Sequence, residues 1–391
     1  MSNLSSIVFE AIRLRLNSGA VFLILAVMAL VPVISGCNRF HPPKKEMVYV
    51  AARQMFLHDR VAAVSNTVAE VKNGQPLEVV EHGRRFLRVK TEKNEIGWIE
   101  EHAVIDEKVY DAFEQMADSH KDSPVAATAT LRNDLYMHAQ PGKETEHFYL
   151  IPGNTKVQLL ERASIKKAQP AGFAPLAHLA QPQKQATGAA ANEPPPPPAM
   201  EDWWLARDPE GHTGWLYGNQ LDVDVPDAIG EYAEGMRFIS AYVLTKVDDP
   251  EAASPPDHQV PEYVCALAPD KSGLPFDFDQ IRVFTWSRNH HRYETAYRLH
   301  PIQGYLPLKV FTAQTPRGPV PAFSFELSSG PDLVTDPSTG ITRPANPRTI
   351  NYEMIDTQVK RIGPDMGPIP IVHDKEKEEK ALKKQGKKGR G

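Results

Sequence analysis

A mainly β chain is predicted by three features of the sequence. Short apolar runs alternate with polar residues and break at turn-forming pairs, a glycine–tryptophan pair recurs in a duplicated block, and few stretches have helical spacing. The 391 residues are expected to divide into several compact units, and 35 prolines point to long connections between them. The expected order is a strand-rich unit at 47–106, a linking helix at 107–125, a second strand-rich unit at 126–224 and an antiparallel β-rich domain at 225–362. Residues 1–36 and a tether at 37–46 precede these units, and a tail at 363–391 follows.

In the first unit the strand candidates are Met47–Ala51, Leu77–Glu81, Phe86–Thr91 and Ile96–Glu100. Asn73-Gly74 and His82-Gly83 supply residues that tolerate positive φ at the breaks. From Asp106 to His120, Val109, Phe113 and Met116 fall at helical spacing behind an acidic start, which suits a helix N-terminus.

The second unit repeats the first. Leu77–Glu81 aligns with Val157–Glu161, Phe86–Val89 with Trp203–Ala206, and Ile96-Gly97-Trp98-Ile99 with Thr213-Gly214-Trp215-Leu216. The alignment exposes an insertion at about 163–202, rich in alanine, glutamine and proline, with five consecutive prolines from Pro194 to Pro198. Such a composition cannot bury enough apolar surface to fold alone, so a disordered arm is expected.

The third unit begins with a short helix over Ala228–Glu234, between Pro226 and Gly235. Strands are expected at Arg237–Val247, Glu262–Ala268, Gln280–Trp286, Arg292–Leu299, Tyr305–Ala313, Ala322–Ser328 and Tyr352–Ile362. Ser287–His291 would close a hairpin, and Arg292, Glu294 and Arg298 would form cross-strand ion pairs. The tail ends in a block of lysine and arginine, a pattern typical of a solvated, disordered end.

The formal net charge of -5 gives no reason to expect nucleic acid as a partner. Arg13 and Arg15 precede an apolar stretch from Ala20 to Ile34 that is shorter than the roughly 20 residues a spanning helix needs. The stretch exits through Ser35-Gly36-Cys37, so it reads as an export signal. Ile34-Ser35-Gly36-Cys37 resembles the lipobox of bacterial lipoproteins. The resemblance implies acylation of Cys37, cleavage before it, and membrane lipid as a partner, in the bacterial envelope facing the periplasm or exterior.

The paired blocks, through Gly97-Trp98-Ile99 and Gly214-Trp215-Leu216, resemble bacterial SH3 (SH3b) domains of envelope proteins. That implies two small SH3-like β-barrels and a binding role, with peptidoglycan or another envelope protein as partner. The first strand pair departs from the family pattern. Phe56–Arg60 and Leu135–His138 are the nearest stretches to its usual segment, and only the second copy has a similar Gln140-Pro141-Gly142. Trp98, Trp215 and Tyr136 are the candidate ligand-binding residues, although a tryptophan beside a strand glycine also suits core packing.

Catalytic chemistry finds no foothold in the sequence. Cys265 lies in an apparent buried strand, not at a helix start beside a histidine. No Gly-x-Ser-x-Gly elbow, phosphate-binding glycine loop or His-Glu-x-x-His helix occurs. His291 and His300 would fall on opposite strand faces, which argues against a metal centre with His290. The expectation is therefore a lipid-anchored, non-catalytic binding or scaffolding protein, with no catalytic residue, metal or cofactor. The alternatives are a cell-wall hydrolase with its site in the third unit, or a structural subunit of an envelope complex.

Overall fold

Antiparallel pairing dominates the chain in the computed structural model, which describes residues 45–168, 198–253 and 255–370. Cys37, the apolar segment before it, the run Pro194–Pro197 and the lysine-rich end lie outside these residues. No helix among the described residues is long and apolar enough to cross a membrane.

The first unit comprises β1 (Met47–Val50), β2 (Gln54–His58), β3 (Thr67–Lys72), β4 (Pro76–His82), β5 (Phe86–Lys90), β6 (Ile96–Glu100) and β7 (Val104–Asp106). They form one sheet in the order β3-β2-β6-β5-β4-β1-β7. The alternating residues Val48, Val50, Leu57, Leu77, Val89 and Ile99 turn to one side and make its core.

The second unit comprises β8 (Ala127–Leu131), β9 (Leu135–His138), β10 (His147–Ile151), β11 (Lys156–Lys166), β12 (Met200–Arg207), β13 (Thr213–Tyr217) and β14 (Leu221–Val223). Their order, β10-β9-β13-β12-β11-β8-β14, repeats the first sheet position by position. Even the irregularity repeats. Val79 pairs with Val89 and Glu81 with Arg88, so Val80 is a bulge, and Leu160 is the same bulge between Leu159–Ala206 and Glu161–Leu205.

The glycine of the repeated pair has a steric cause. A Cβ on Gly97 would stand 2.7 Å from the Leu57 Cβ, and one on Gly214 would stand 2.7 Å from the Met137 Cβ. The glycine therefore permits β2 or β9 to pass close over the strand that carries the tryptophan.

Helix α1 (Glu107–Ser119) lies where helical spacing predicts it, and its N-cap Asp106 accepts the Val109 backbone N–H at 2.9 Å. Phe113 is buried against Phe148 and Tyr149, so the helix belongs to the core of the second unit. Asn73, at the predicted turn, joins the two units. Its amide donates to the Phe148 carbonyl at 2.9 Å and accepts from the Leu150 N–H at 3.0 Å.

In the third unit β15 (Met236–Asp248), β16 (Gln259–Pro269), β17 (Gln280–Ser287) and β18 (Arg292–Leu299) form one sheet. A second sheet contains β19 (Gly304–Thr315), β20 (Gly318–Ser328), β23 (Pro347–Ile355) and β24 (Gln358–Ile362). The hairpin β21 (Leu333–Thr335) and β22 (Thr342–Pro344) stands apart. Val264, Ile281 and Val283 of the first sheet share an apolar layer with Phe323, Ile350 and Tyr352 of the second. The opposite face of β16 and β17, with Cys265 and Phe284, packs with Ile229 of the short helix α2 (Asp227–Gly230). Burial on both faces explains the unbroken apolar run at Tyr263–Leu267.

Four expectations need correction. Residues 163–166 and 200–202 are strand, with Lys166 paired to Met200, because the hairpin register carries backbone pairing into the stretch read as the insertion. Only 169–197 of that stretch lie outside the described residues. Tyr352–Ile362 is a hairpin and not one strand, turning where Asp356 adopts φ 54°. The charged residues of β18 form no ion pairs across strands among the described residues. Arg292 meets Glu294 of its own strand at 3.6 Å, and Arg298 meets Glu234 at 3.3 Å. The tail is held at its start, since Asp365 accepts from Arg348 at 2.6 Å and Arg361 at 3.0 Å.

Candidate functional site: a duplicated tryptophan face

Trp98 on β6 and Trp215 on β13 occupy equivalent positions, and each pairs across the sheet with a histidine, His58 or His138. The Nδ1 of each histidine lies 3.0 Å from a hydroxyl seven residues later, on Ser65 and Thr145. This second repeated feature escaped the sequence reading. Its signal is histidine followed at the same spacing by serine or threonine in each copy.

The two faces differ in what covers them. In the second copy Trp215 is 3% exposed, in a cluster with Leu160, Ala163, Trp203 and Leu205. Met116 of α1, Val125 of the linker, Ile165 of the extended β11 and Ile341 of the third unit close over it. His138 meets Trp203 edge-on at 5.0 Å, and burial together with the neighbouring His147 pulls its pKa down to about 4. Tyr136 is half-buried with its ring against His147 at 4.7 Å, outside the cluster around Trp215. Of the three candidate residues, Trp215 and Tyr136 are thus engaged by their own chain.

In the first copy the same face is open. The strand register puts Val80, Phe86, Arg88 and Glu100 where the second copy has Leu160, Trp203, Leu205 and Tyr217. Trp98 is only half-buried. It lines two adjoining cavities of about 630 and 640 Å³ that share Arg60, Val61 and Phe86. One extends to Gly83, Arg84 and Arg85, and the other to Phe56, His58 and Ser65. Among the lining residues Phe56 is 43% and Val61 52% exposed, so apolar surface borders water here. A Cβ on Gly83 would lie 3.1 Å from the Trp98 ring, so glycine here keeps the ring edge clear.

Charge rims this face. Arg60 pairs with Asp59 at 3.0 Å, Arg88 with Glu81 at 3.3 Å, and Glu100 with His102 at 3.0 Å. Arg84 and Arg85 are exposed and make no ion pair among the described residues. An apolar floor with uncommitted guanidinium groups at its edge suits a ligand with both apolar and anionic parts.

The other candidate groups are not brought together. His290, His291 and His300 face different carboxylates, Glu294 at 2.9 Å, Asp249 at 3.2 Å and Asp279 at 3.4 Å. Asp208, Glu210 and His212, which the sequence reading did not single out, offer ligand atoms within 4.8 Å of one another. Asp208 there accepts the backbone N–H groups of Glu210 and His212, each at 2.9 Å, and so closes the β12–β13 turn. Cys265 is fully buried, and burial raises its thiol pKa well above the usual range, with Arg282 only partly opposing the shift. It is expected to resist alkylation in the native protein and to react after unfolding, as intact-mass measurement will show. Rapid native labelling would mean that the β16 region opens.

No protein-family model matches the chain, and no curated protein matches its sequence. Solved structures that align with it include NlpC2 from Trichomonas vaginalis, at 9% identity over 55% of this chain and 62% of that one, with a TM-score of 0.15. The chain thus spans less than two thirds of NlpC2. An NlpC/P60 family protein from Bacillus cereus aligns at 11% identity over 64% of this chain and 93% of that one, with a TM-score of 0.21. NlpC1 from Trichomonas vaginalis aligns at 8% identity over 65% and 88%, with a TM-score of 0.15. Likeness at these TM-scores does not amount to a common fold, and the functional reading rests on the residues of this chain.

Proposed function

We propose that the chain is a bacterial envelope lipoprotein, held to a membrane through acylated Cys37, that works as a non-catalytic binding or scaffolding protein through its Trp98 face. The observation that carries this reading is the contrast between the copies: one tryptophan face is sealed by the chain itself, and its duplicate is left open with an apolar floor and two uncommitted arginines. The lipobox-like Ile34-Ser35-Gly36-Cys37 supports the anchor, and the resemblance of both units to bacterial SH3 domains supports a binding role. Two or more acyl chains make a durable attachment, at about 0.8 kcal/mol per buried methylene.

Expression in a bacterial host tests both halves. The full chain is expected in the membrane fraction and Cys37→Ser in the soluble envelope extract. The purified chain is expected to release no soluble muropeptides from isolated cell walls. Equal partition of the two proteins would remove the anchor. Muropeptide release would replace the binding reading with a wall hydrolase.

A further inference from the structure

The second copy shows what its tryptophan face accepts. The tip of the β21–β22 hairpin leans on β11, where the Ser164 N–H donates to the Gly340 carbonyl at 3.3 Å and Ile341 packs on the cluster around Trp203 and Trp215. Gly340 has φ 73°, and a Cβ there would stand 2.8 Å from both the Ser164 carbonyl oxygen and Ile165. Close approach of the two backbones therefore needs glycine, and the following aliphatic side chain supplies the apolar contact. The turn is closed by the Gly340 N–H donating to the Asp336 carbonyl at 2.8 Å, while the Asp336 carboxylate accepts from Ser338 and Thr339.

The first copy keeps apolar residues at the positions of Leu160, Trp203 and Trp215 and places charge beside them. Leu205 becomes Arg88 and Tyr217 becomes Glu100, and the long β11–β12 hairpin shrinks to the Gly83-Arg84-Arg85 turn. An apolar middle within a charged rim is the composition of a surface that meets a separate partner, whereas an apolar surface throughout suits a permanent internal contact. Resting on the binding role proposed above, we infer that the Trp98 face docks a turn of a partner protein that presents an aliphatic residue flanked by carboxylates. The aliphatic side chain enters between Phe86, Val61 and Trp98, and the carboxylates meet Arg84 and Arg85. The apolar contact of Ile341 in the second copy supplies the side chain of the occupant, and the uncommitted arginines supply the sign of its charge.

The test uses the full chain in detergent and a fluorescent peptide with the sequence of residues 333–344 carrying Arg343→Glu. Saturable binding that weakens with salt is expected. Trp98→Ala and the double variant Arg84→Glu/Arg85→Glu are each expected to weaken it at least about tenfold. The same peptide carrying Ile341→Asp is expected not to bind. Both arginines are exposed, so the double variant retains the fold even if Trp98→Ala does not, and equal melting temperatures will verify this.

Absence of peptide binding up to millimolar concentration, or binding that neither variant weakens, overturns the inference. Pelleting of the chain with insoluble peptidoglycan that depends on Trp98, without peptide binding, also overturns it. That last result assigns the face to the wall polymer and leaves the binding role standing. Failure of the binding role itself would appear separately, as muropeptide release by the unaltered chain.

Discussion

Replacing Arg162 with methionine is expected to cost about 3–5 kcal/mol of stability, because it leaves buried carboxylates without their central cation. Arg162 and Asp202 are each 4% exposed and Asp277 is 3% exposed. The guanidinium reaches Asp277 at 3.1 Å, Asp202 at 3.2 Å and the Leu274 carbonyl at 2.7 Å. Arg237 and Arg343 join from the sides, at 2.9 Å to Asp202 and 3.2 Å to Asp277. Backbone N–H groups of Gly273 and Leu306 complete the set. The cluster joins the second unit to the third, so its loss should lower the melting temperature and loosen their junction in hydrogen exchange. A loss below about 1 kcal/mol would place the cluster in the class of weak, solvent-screened pairs.

Acid should erase the difference between wild type and Arg162→Met. Burial pushes the Asp202 carboxyl up, but Arg162, Ser164, the Gly273 N–H and Arg237 outweigh it and hold the pKa below the ordinary 3.8. A carboxyl depressed in the folded state adds stability that is fully present above its unfolded value and is lost as pH falls through its folded value. The gap between the two proteins should therefore stay constant at neutral pH and narrow below about pH 4.

The duplication was legible in the sequence because the features that align the copies have local causes. Gly97 and Gly214 are fixed by the strand passing over them, and the bulges at Val80 and Leu160 keep the flanking pairs in step. The linking helix was legible through its cap and its apolar spacing. The unlike fates of Trp98 and Trp215 were not, because they depend on Met116, Val125 and Ile341, residues 90 or more positions away in the chain from Trp215. The Arg162 cluster was hidden for the same reason: its charges come from five separate stretches that only the tertiary fold assembles. The strand ends around Lys166 and Met200 were missed because composition argued for a loop while the hairpin register argued for pairing. In each case a non-local contact decided what a local pattern left open.

One substitution made in both copies should give opposite results. Trp215→Ala removes a ring 3% exposed from the middle of a cluster built by the second unit, the linking helix and the third unit, and the neighbours that close over it come from separate elements that cannot collapse together into the space. A loss of about 3–5 kcal/mol is expected, as for large aromatic deletions in packed cores. Trp98→Ala removes a ring that already borders water in an open cleft, so no sealed cavity forms and the cost should be about 1 kcal/mol. Its effect should fall on ligand binding, where a truncated central aromatic commonly costs tenfold or more. Urea titration and binding measured on the same two variants separate the roles. Comparable stability losses would mean that the first copy closes its face in solution, and the binding surface would then lie elsewhere. Unequal losses in the expected order, with binding lost only in Trp98→Ala, would mean that duplication gave one tryptophan to the fold and released the other for recognition.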